Sequence, residues 1–168
     1  LEKQGVGGGG GAGGLGTWSA WENAELAALE RCLSDSRATW RVVVGHHPVL
    51  SYSKHHGSQP ELAGLREVME RLGAAAYFNG HDHNLQHVVP RVKALTPGAS
   101  LPEAVHYVTS GAGSKLRNDV DQKQKDSVEG NGDGLGPLKF SHATTPGFVV
   151  VRARRTSLTV TYHSAPAG

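Results

Sequence analysis

Histidines in three short motifs are the residues of this sequence best suited to chemistry. The motifs are GHHP at Gly45–Pro48, HHG at His55–Gly57 and GHDHN at Gly80–Asn84. Neutral imidazole is the commonest side-chain ligand of metals, and it exchanges a proton near neutral pH. Ten histidines occur in the chain, and eight of them lie between positions 46 and 106. This concentration predicts metal or proton-transfer chemistry in the middle of the chain.

The segments between the motifs predict a β-α-β unit that brings GHHP and GHDHN together. The run WRVVV (40–44) precedes GHHP, a helix is expected over about 59–72, and the run AAAYF (74–78) precedes GHDHN. The two strands should be parallel neighbours, with 40–44 covered on both faces. Ligands of open α/β sheets bind outside the carboxyl ends of the strands. We therefore expect His46 and His81 to share one site.

The third candidate ligand follows from the spacing within GHDHN. Residues i and i+2 of an extended segment project to one side, so His81 and His83 should point into the site while Asp82 turns away. His46, His81 and His83 are the candidate metal ligands. The alternative for each is an ordinary surface histidine or a hydrogen-bonded histidine of the core.

Composition restricts the partners. Seventeen basic and fifteen acidic residues give a net charge of +2, and the basic residues are scattered, so neither nucleic acid nor an anionic membrane is an expected partner. No apolar stretch approaches the roughly 20 residues that span a bilayer. The single cysteine, Cys32, excludes an internal disulfide and a cysteine-based zinc cluster.

Three further segments have clear structural interpretations. Residues 1–16 are expected to be a Gly-rich linker, and residues 19–34 predict an amphipathic helix that carries Cys32 as a small buried residue. The alternating runs FVVVRA (148–153) and LTVTYH (158–163) predict a β-hairpin that ends the fold. Together with the β-α-β unit, these segments predict an α/β domain.

The histidine motifs also carry a family resemblance. In order, VVVGHHPVLSYSKHHGS, AYFNGHDHNLQH and VHYVTSGAGSKLR resemble the C-terminal half of the purple acid phosphatases and tartrate-resistant acid phosphatases, which are calcineurin-like metallophosphoesterases. The resemblance covers residues 17–117 and, more weakly, 138–163. It implies that residues 17–168 are the C-terminal half of a four-layer αββα sandwich whose N-terminal metal-binding half is absent.

The resemblance implies metal-dependent hydrolysis of phosphate monoesters, as in an acid phosphatase. The expected cofactor is a binuclear centre of Fe(III) with Zn(II), Mn(II) or Fe(II), which activates a water molecule. The matching positions are His46 and His81 on the divalent metal, His83 on the iron, His55 and His56 facing the phosphate and assisting the leaving group, and Asn84 supporting the ligands. A secreted, vacuolar or lysosomal location is also suggested.

The sequence departs from the family in one respect. The DxH, GDxxY and GNH motifs, which supply the bridging aspartate and other ligands, are absent, and the near match GNGDG (130–134) lacks the histidine and the tyrosine. The expected partners are therefore a phosphate monoester and the missing N-terminal half. The alternative is a catalytically incomplete fragment or a non-enzymatic metal-binding or regulatory module. The isolated chain should bind at most one divalent ion and should self-associate through uncovered strands.

Overall fold

The computed structural model describes residues 20–90, 104–118, 120 and 138–166. The Gly-rich segment 1–16 and the GNGDG segment lie outside these residues. The elements in chain order are α1 (Ala20–Asp35), β1 (Val42–Val44), a single-turn 3-10 helix (Pro60–Leu62), α2 (Ala63–Arg71), β2 (Ala76–Asn79), β3 (Leu85–Val88), β4 (His106–Ser110), β5 (Leu138–His142), β6 (Gly147–Arg154) and β7 (Ser157–Ser164).

A mixed five-stranded sheet has the order β1-β2-β4-β3-β5. Strands β1, β2 and β4 run parallel, with Val44 opposite Phe78 and Asn79 opposite Thr109. Strand β3 runs antiparallel to both β4 and β5. The predicted parallel pairing of β1 with β2 is confirmed, and the 3-10 helix and α2 form the connection between them. The carboxyl ends of β1 and β2 consequently meet at one edge of the sheet.

The predicted terminal hairpin is also confirmed. Strands β6 and β7 pair antiparallel along their whole length as a separate two-stranded sheet. Side chains and backbone attach this hairpin to the central sheet: the Tyr162 hydroxyl donates to the Gln86 carbonyl at 3.1 Å, and the Gly147 amide donates to the Ala112 carbonyl at 2.9 Å. The hairpin therefore supports β3 and the segment that follows β4.

The core lies where α2 and the segment after GHHP pack on the sheet. Met69 of α2 is fully buried with Tyr52, Tyr77 and Tyr107, and the rings of the two last residues meet edge to face with centroids 6.2 Å apart. Burial of side chains of this size stabilises the fold by about 1.5–3 kcal/mol each. The core thus anchors the backbone on both sides of the histidine motifs.

Two expectations from the sequence are wrong. Strand β1 is not covered on both faces, since Val42 is 41% exposed and Val44 is 76% exposed at the edge of the sheet. Cys32 is exposed, whereas the neighbouring Leu33 is buried, because one residue corresponds to about 100° around a helix and moves a side chain off the apolar face. Within the described residues, no helix combines the length and apolar character needed to cross a membrane.

Candidate functional site

Backbone hydrogen bonds join the GHHP and GHDHN loops beyond the ends of their strands. The Gly45 amide donates to the Phe78 carbonyl at 3.0 Å, and the Gly80 amide donates to the His46 carbonyl at 3.1 Å. The parallel pairing of β1 with β2 thus continues into the loops. This pairing fixes the position of His46 relative to His81 along the strand direction.

Three histidines from these two loops form a cluster. The ring nitrogens of His46, His47 and His81 that could bind a metal all lie within 4.8 Å of one another. Nε2 of His46 is 3.1 Å from Nδ1 of His81. His46 and His81 were predicted to share a site, but sequence reasoning missed His47, although it stands in the same motif. Among the described residues, this cluster contains no carboxylate.

The backbone at His81 is strained. Its φ of 59° lies in the left-handed region, which costs roughly 1–3 kcal/mol for a residue other than glycine. The surrounding loop must therefore hold this conformation. A turn at His81 also removes the extended geometry from which we expected His81 and His83 to project to one side.

His83 lies next to the cluster but is not a member of it. Its carbonyl accepts a hydrogen bond of 2.9 Å from the Arg117 amide, and its Nδ1 is buried without a hydrogen-bond partner among the described residues. An orphaned, buried imidazole nitrogen beside three other imidazoles is an observation that a metal ion would explain. The role of His83 as a ligand stays a prediction.

Buried polar side chains hold the GHDHN loop in place through hydrogen bonds. Asp82 is buried and accepts a hydrogen bond from the Ser51 hydroxyl, so its carboxylate turns away from the histidines. Asn84 is fully buried, donates to the Ser53 hydroxyl at 3.2 Å and accepts from the Gln86 amide at 2.8 Å. These side-chain contacts join the loop to the segment that follows GHHP, so Asn84 helps to hold the loop in position.

Sequence reasoning missed Tyr77 and Gly111, which pack closely against the loops that carry the histidines. The Tyr77 hydroxyl donates to the His47 carbonyl at 2.8 Å, and a side chain on Gly45 would overlap this hydroxyl. Burial raises the pKa of Tyr77 to about 12, so the phenol keeps the proton that it donates. Gly111 follows β4 directly, as Gly45 follows β1, and a Cβ on Gly111 would overlap the Asp82 carbonyl. The position of Gly45 directly after the predicted strand WRVVV was the available signal for the close contact at Gly45.

The HHG loop brings its histidines to the same side of the sheet. The ring centroid of His56 is 4.1 Å from that of His81 and 4.2 Å from that of His55. Gly57 has a φ of 70°, which allows the sharp turn that ends the motif. Three separate loops thus bring imidazoles together at His81.

The cluster favours neutral imidazole at its centre. Partial burial lowers the pKa of His81, and the nearby rings of His56, His47, His46 and His83 lower it further because neighbouring positive charges disfavour a second proton. Only neutral imidazole has a lone pair that can bind a metal. The donor set of the described residues therefore fits a divalent ion. A second ion would need oxygen ligands from outside this cluster.

Sequence comparison gives the context of the site. Residues 9–85 match the calcineurin-like phosphoesterase family. Purple acid phosphatase 17 of Arabidopsis thaliana is 39% identical over 99 residues, which are 58% of this chain and 26% of that protein. Tartrate-resistant acid phosphatase type 5 of Oryctolagus cuniculus is 31% identical over 144 residues, which are 84% of this chain and 39% of that protein. The chain therefore spans well under half the length of these relatives.

Fold comparison agrees. A purple acid phosphatase from yellow lupin (Lupinus luteus) seeds matches with a TM-score of 0.61 at 15% identity, over 82% of this chain and 25% of that structure. GAP50, described as the anchor in the inner membrane complex of Plasmodium, matches with a TM-score of 0.61 at 17% identity, over 85% of this chain and 38% of that structure. The mixed α/β fold is that of part of a metallophosphoesterase, a class that implies a binuclear metal centre. The chain is thus purple acid phosphatase-like and resembles the calcineurin-like metallophosphoesterases in sequence and in fold.

Proposed function

We propose that this chain supplies the GHHP, HHG and GHDHN loops of an acid phosphatase that hydrolyses phosphate monoesters. The observation that carries the proposal is the convergence of His46, His81 and His56 from three separate loops at one edge of the sheet. The relatives named as acid phosphatases support the reaction class.

In this proposal His46 and His81 hold a divalent metal and His83 holds iron, with His47 as a further candidate ligand. The metal pair is Fe(III) with Zn(II), Mn(II) or Fe(II). When bound, the pair supplies Lewis acidity and a water of lowered pKa. Asn84 keeps the loop in register through Ser53 and Gln86.

His55 and His56 act on the substrate in this proposal. His56 faces the cluster through its contact with His81, so a protonated His56 can bind a phosphate oxygen and donate a proton to the departing alkoxide. His55 contacts His56 and can add positive charge near the phosphate. A positioned proton donor accelerates such a step by roughly 10²- to 10⁴-fold.

The remaining ligands, in this proposal, come from an N-terminal half that bears the DxH, GDxxY and GNH motifs. The exposed valines of β1 give that half an apolar edge to cover. We also propose a secreted, vacuolar or lysosomal location for the complete protein, by analogy with the acid phosphatase relatives.

Metal binding by the chain gives the first test. We expect isothermal titration calorimetry to detect at most one Zn²⁺ per chain, with an affinity that His81→Ala lowers by at least about tenfold. His163→Ala removes an exposed imidazole from β7 and is the matched control. An unchanged affinity in His81→Ala would remove this cluster as the metal site.

Reconstitution gives the second test. Co-expression with an N-terminal half that carries the three missing motifs should give metal-dependent hydrolysis of an aryl phosphate. His83→Ala should abolish iron binding and activity together. His56→Ala should retain both metals but reduce turnover by roughly 10²- to 10⁴-fold, with a smaller loss for substrates whose leaving groups need little protonation.

A non-catalytic role is the second candidate function. One protein with this fold is described as an anchor in a membrane complex, so the fold alone does not imply catalysis. Absence of hydrolysis in the reconstituted protein with every metal pair, together with intact metal binding, would favour a binding or regulatory module.

A further inference from the structure

A second pair of histidines lies on the central sheet, outside the cluster at the strand ends. Nε2 of His87 on β3 is 2.9 Å from Nδ1 of His106 on β4, and the two ring planes are only 27° apart. Neither residue belongs to the GHHP, HHG or GHDHN motif. The cluster of His46, His47 and His81 does not include them either. The proposed phosphatase chemistry therefore leaves this pair without a role.

The pairing of β3 with β4 brings the two side chains together. The strands are antiparallel, and Val88 lies opposite Tyr107, with both residues in the core. Successive side chains of a strand point to opposite faces of the sheet. His87 and His106, each one position away from the core pair, therefore share the other face. They are diagonal neighbours there, since the residue directly opposite His87 is Val108.

Both imidazoles of the pair favour the neutral form, which is the form that binds metals. Burial, followed by the nearby charges of His106 and Lys139, lowers the pKa of His87 to about 4, and partial burial lowers the pKa of His106. In a neutral pair one of the two facing nitrogens carries a hydrogen, and that ring can carry it on its other nitrogen instead. With a small tilt of the rings, both facing nitrogens then present a lone pair to one ion.

The separation of the two nitrogens indicates which ions fit. A bond from imidazole to a metal is about 2.0–2.1 Å long, so nitrogens 2.9 Å apart subtend an angle of about 90° at the ion. Neighbouring ligands of a square-planar or tetragonal ion meet at this angle, which is the geometry of Cu(II) and Ni(II). A tetrahedral Zn(II) needs a separation of about 3.3 Å. Cu(II), which also binds most tightly among the divalent first-row ions, is the best match.

The surroundings leave the other coordination positions to solvent. His106 is exposed and His87 is half-buried. The ring of Tyr162 is 6.4 Å from that of His87, but its hydroxyl donates to the Gln86 carbonyl. Across the parts of the chain that the structure describes, no third histidine, cysteine or carboxylate joins the two nitrogens. Water or a small donor molecule would complete the coordination of the ion.

We propose that His87 and His106 form a second metal site, which binds one divalent ion of tetragonal geometry and prefers Cu(II). The proposal is independent of the proposed function, because it uses none of the residues assigned to the phosphatase reaction. The bound ion links β3 to β4 through one imidazole of each strand. It is additional to the ion expected at His46 and His81.

Calorimetric titration of the 168-residue chain with Cu²⁺ in a weakly coordinating buffer tests this site. We expect His87→Gln and His106→Gln each to bind about one Cu²⁺ fewer than the unaltered chain. The double variant should lose no more than either single variant, because both imidazoles hold the same ion. His163→Gln, which removes an exposed imidazole that stacks on Phe148, is the matched control and should leave the number of bound ions unchanged.

A second comparison separates this pair from the histidine cluster. His106→Gln should remove one Cu²⁺ from the His81→Ala variant just as it does from the unaltered chain, since independent sites have additive effects. An unchanged count in His106→Gln, an equal loss in His163→Gln, or an effect of His106→Gln that disappears in His81→Ala would overturn the second site. His106→Gln, a change at an exposed side chain, covers the case in which His87→Gln fails to fold, as circular dichroism would reveal.

Discussion

Replacement of Gly111 by alanine tests whether the end of β4 holds the GHDHN loop in place. The new Cβ would overlap the Asp82 carbonyl oxygen and would lie 2.9 Å from the Asp82 carbonyl carbon. Both partners are backbone atoms, so no flexible side chain can move aside. Either the strand end or the loop must shift, and the hydrogen bond of 3.0 Å from the Gly111 amide to the Asn84 carbonyl must stretch.

The magnitude follows from two opposing effects. Overpacking of this kind costs about 1–3 kcal/mol, whereas the reduced freedom of the unfolded chain contributes about 0.4–1 kcal/mol of stability. We expect Gly111→Ala to lower the free energy of unfolding by about 1–2 kcal/mol. For a chain of this size the corresponding change is a decrease of roughly 2–8 °C in the Tm.

Gly113→Ala is the matched control, because it adds the same methyl group two residues further on, where no atom lies within 4 Å. Urea unfolding followed by circular dichroism should separate the two variants by at least about 1 kcal/mol. The zinc affinity of Gly111→Ala should also fall by about tenfold, since the displaced loop carries His81. Equal stabilities for the two variants would refute the assigned contact.

Two further predictions concern the exposed edge and the pH dependence of stability. Val44→Lys should reduce self-association in sedimentation velocity, because Val44 is 76% exposed on edge strand β1. The control variant Ala28→Lys, on the exposed face of α1, should leave self-association unchanged. Burial, followed by His106 and Lys139, lowers the pKa of His87 to about 4, below the value of 6.5 expected for the unfolded chain. In this pH range His87 of the unfolded chain binds a proton, whereas His87 of the folded chain stays neutral. The free energy of unfolding should therefore decrease as the pH falls from 6.5 towards 4. His87→Gln should flatten this decrease in urea titrations, and an unaltered slope would contradict the assignment to His87.

Patterns that repeat within a short segment allowed much of the fold to be predicted. The β-branched run before GHHP and the apolar run before GHDHN predicted a parallel pair, and the alternation after residue 147 predicted the terminal hairpin. Strands β3 and β5 were not predicted, since each is short and gains its place from pairing with neighbours distant in sequence. The exposure of Val44 depends on the order of strands in the sheet, which a local pattern does not encode.

The candidate site was likewise predicted only in part from the sequence. The sequence by itself determined that His46 and His81 follow adjacent parallel strands, because strand direction and connection obey general rules of handedness and reach. Only the tertiary structure decided that His47 completes the cluster, that His81 adopts a left-handed conformation and that the His56 ring lies against His81. Such outcomes depend on the direction of individual side chains and on contacts between loops. Those contacts are set by packing across the whole sheet, so no short stretch of the sequence contains them.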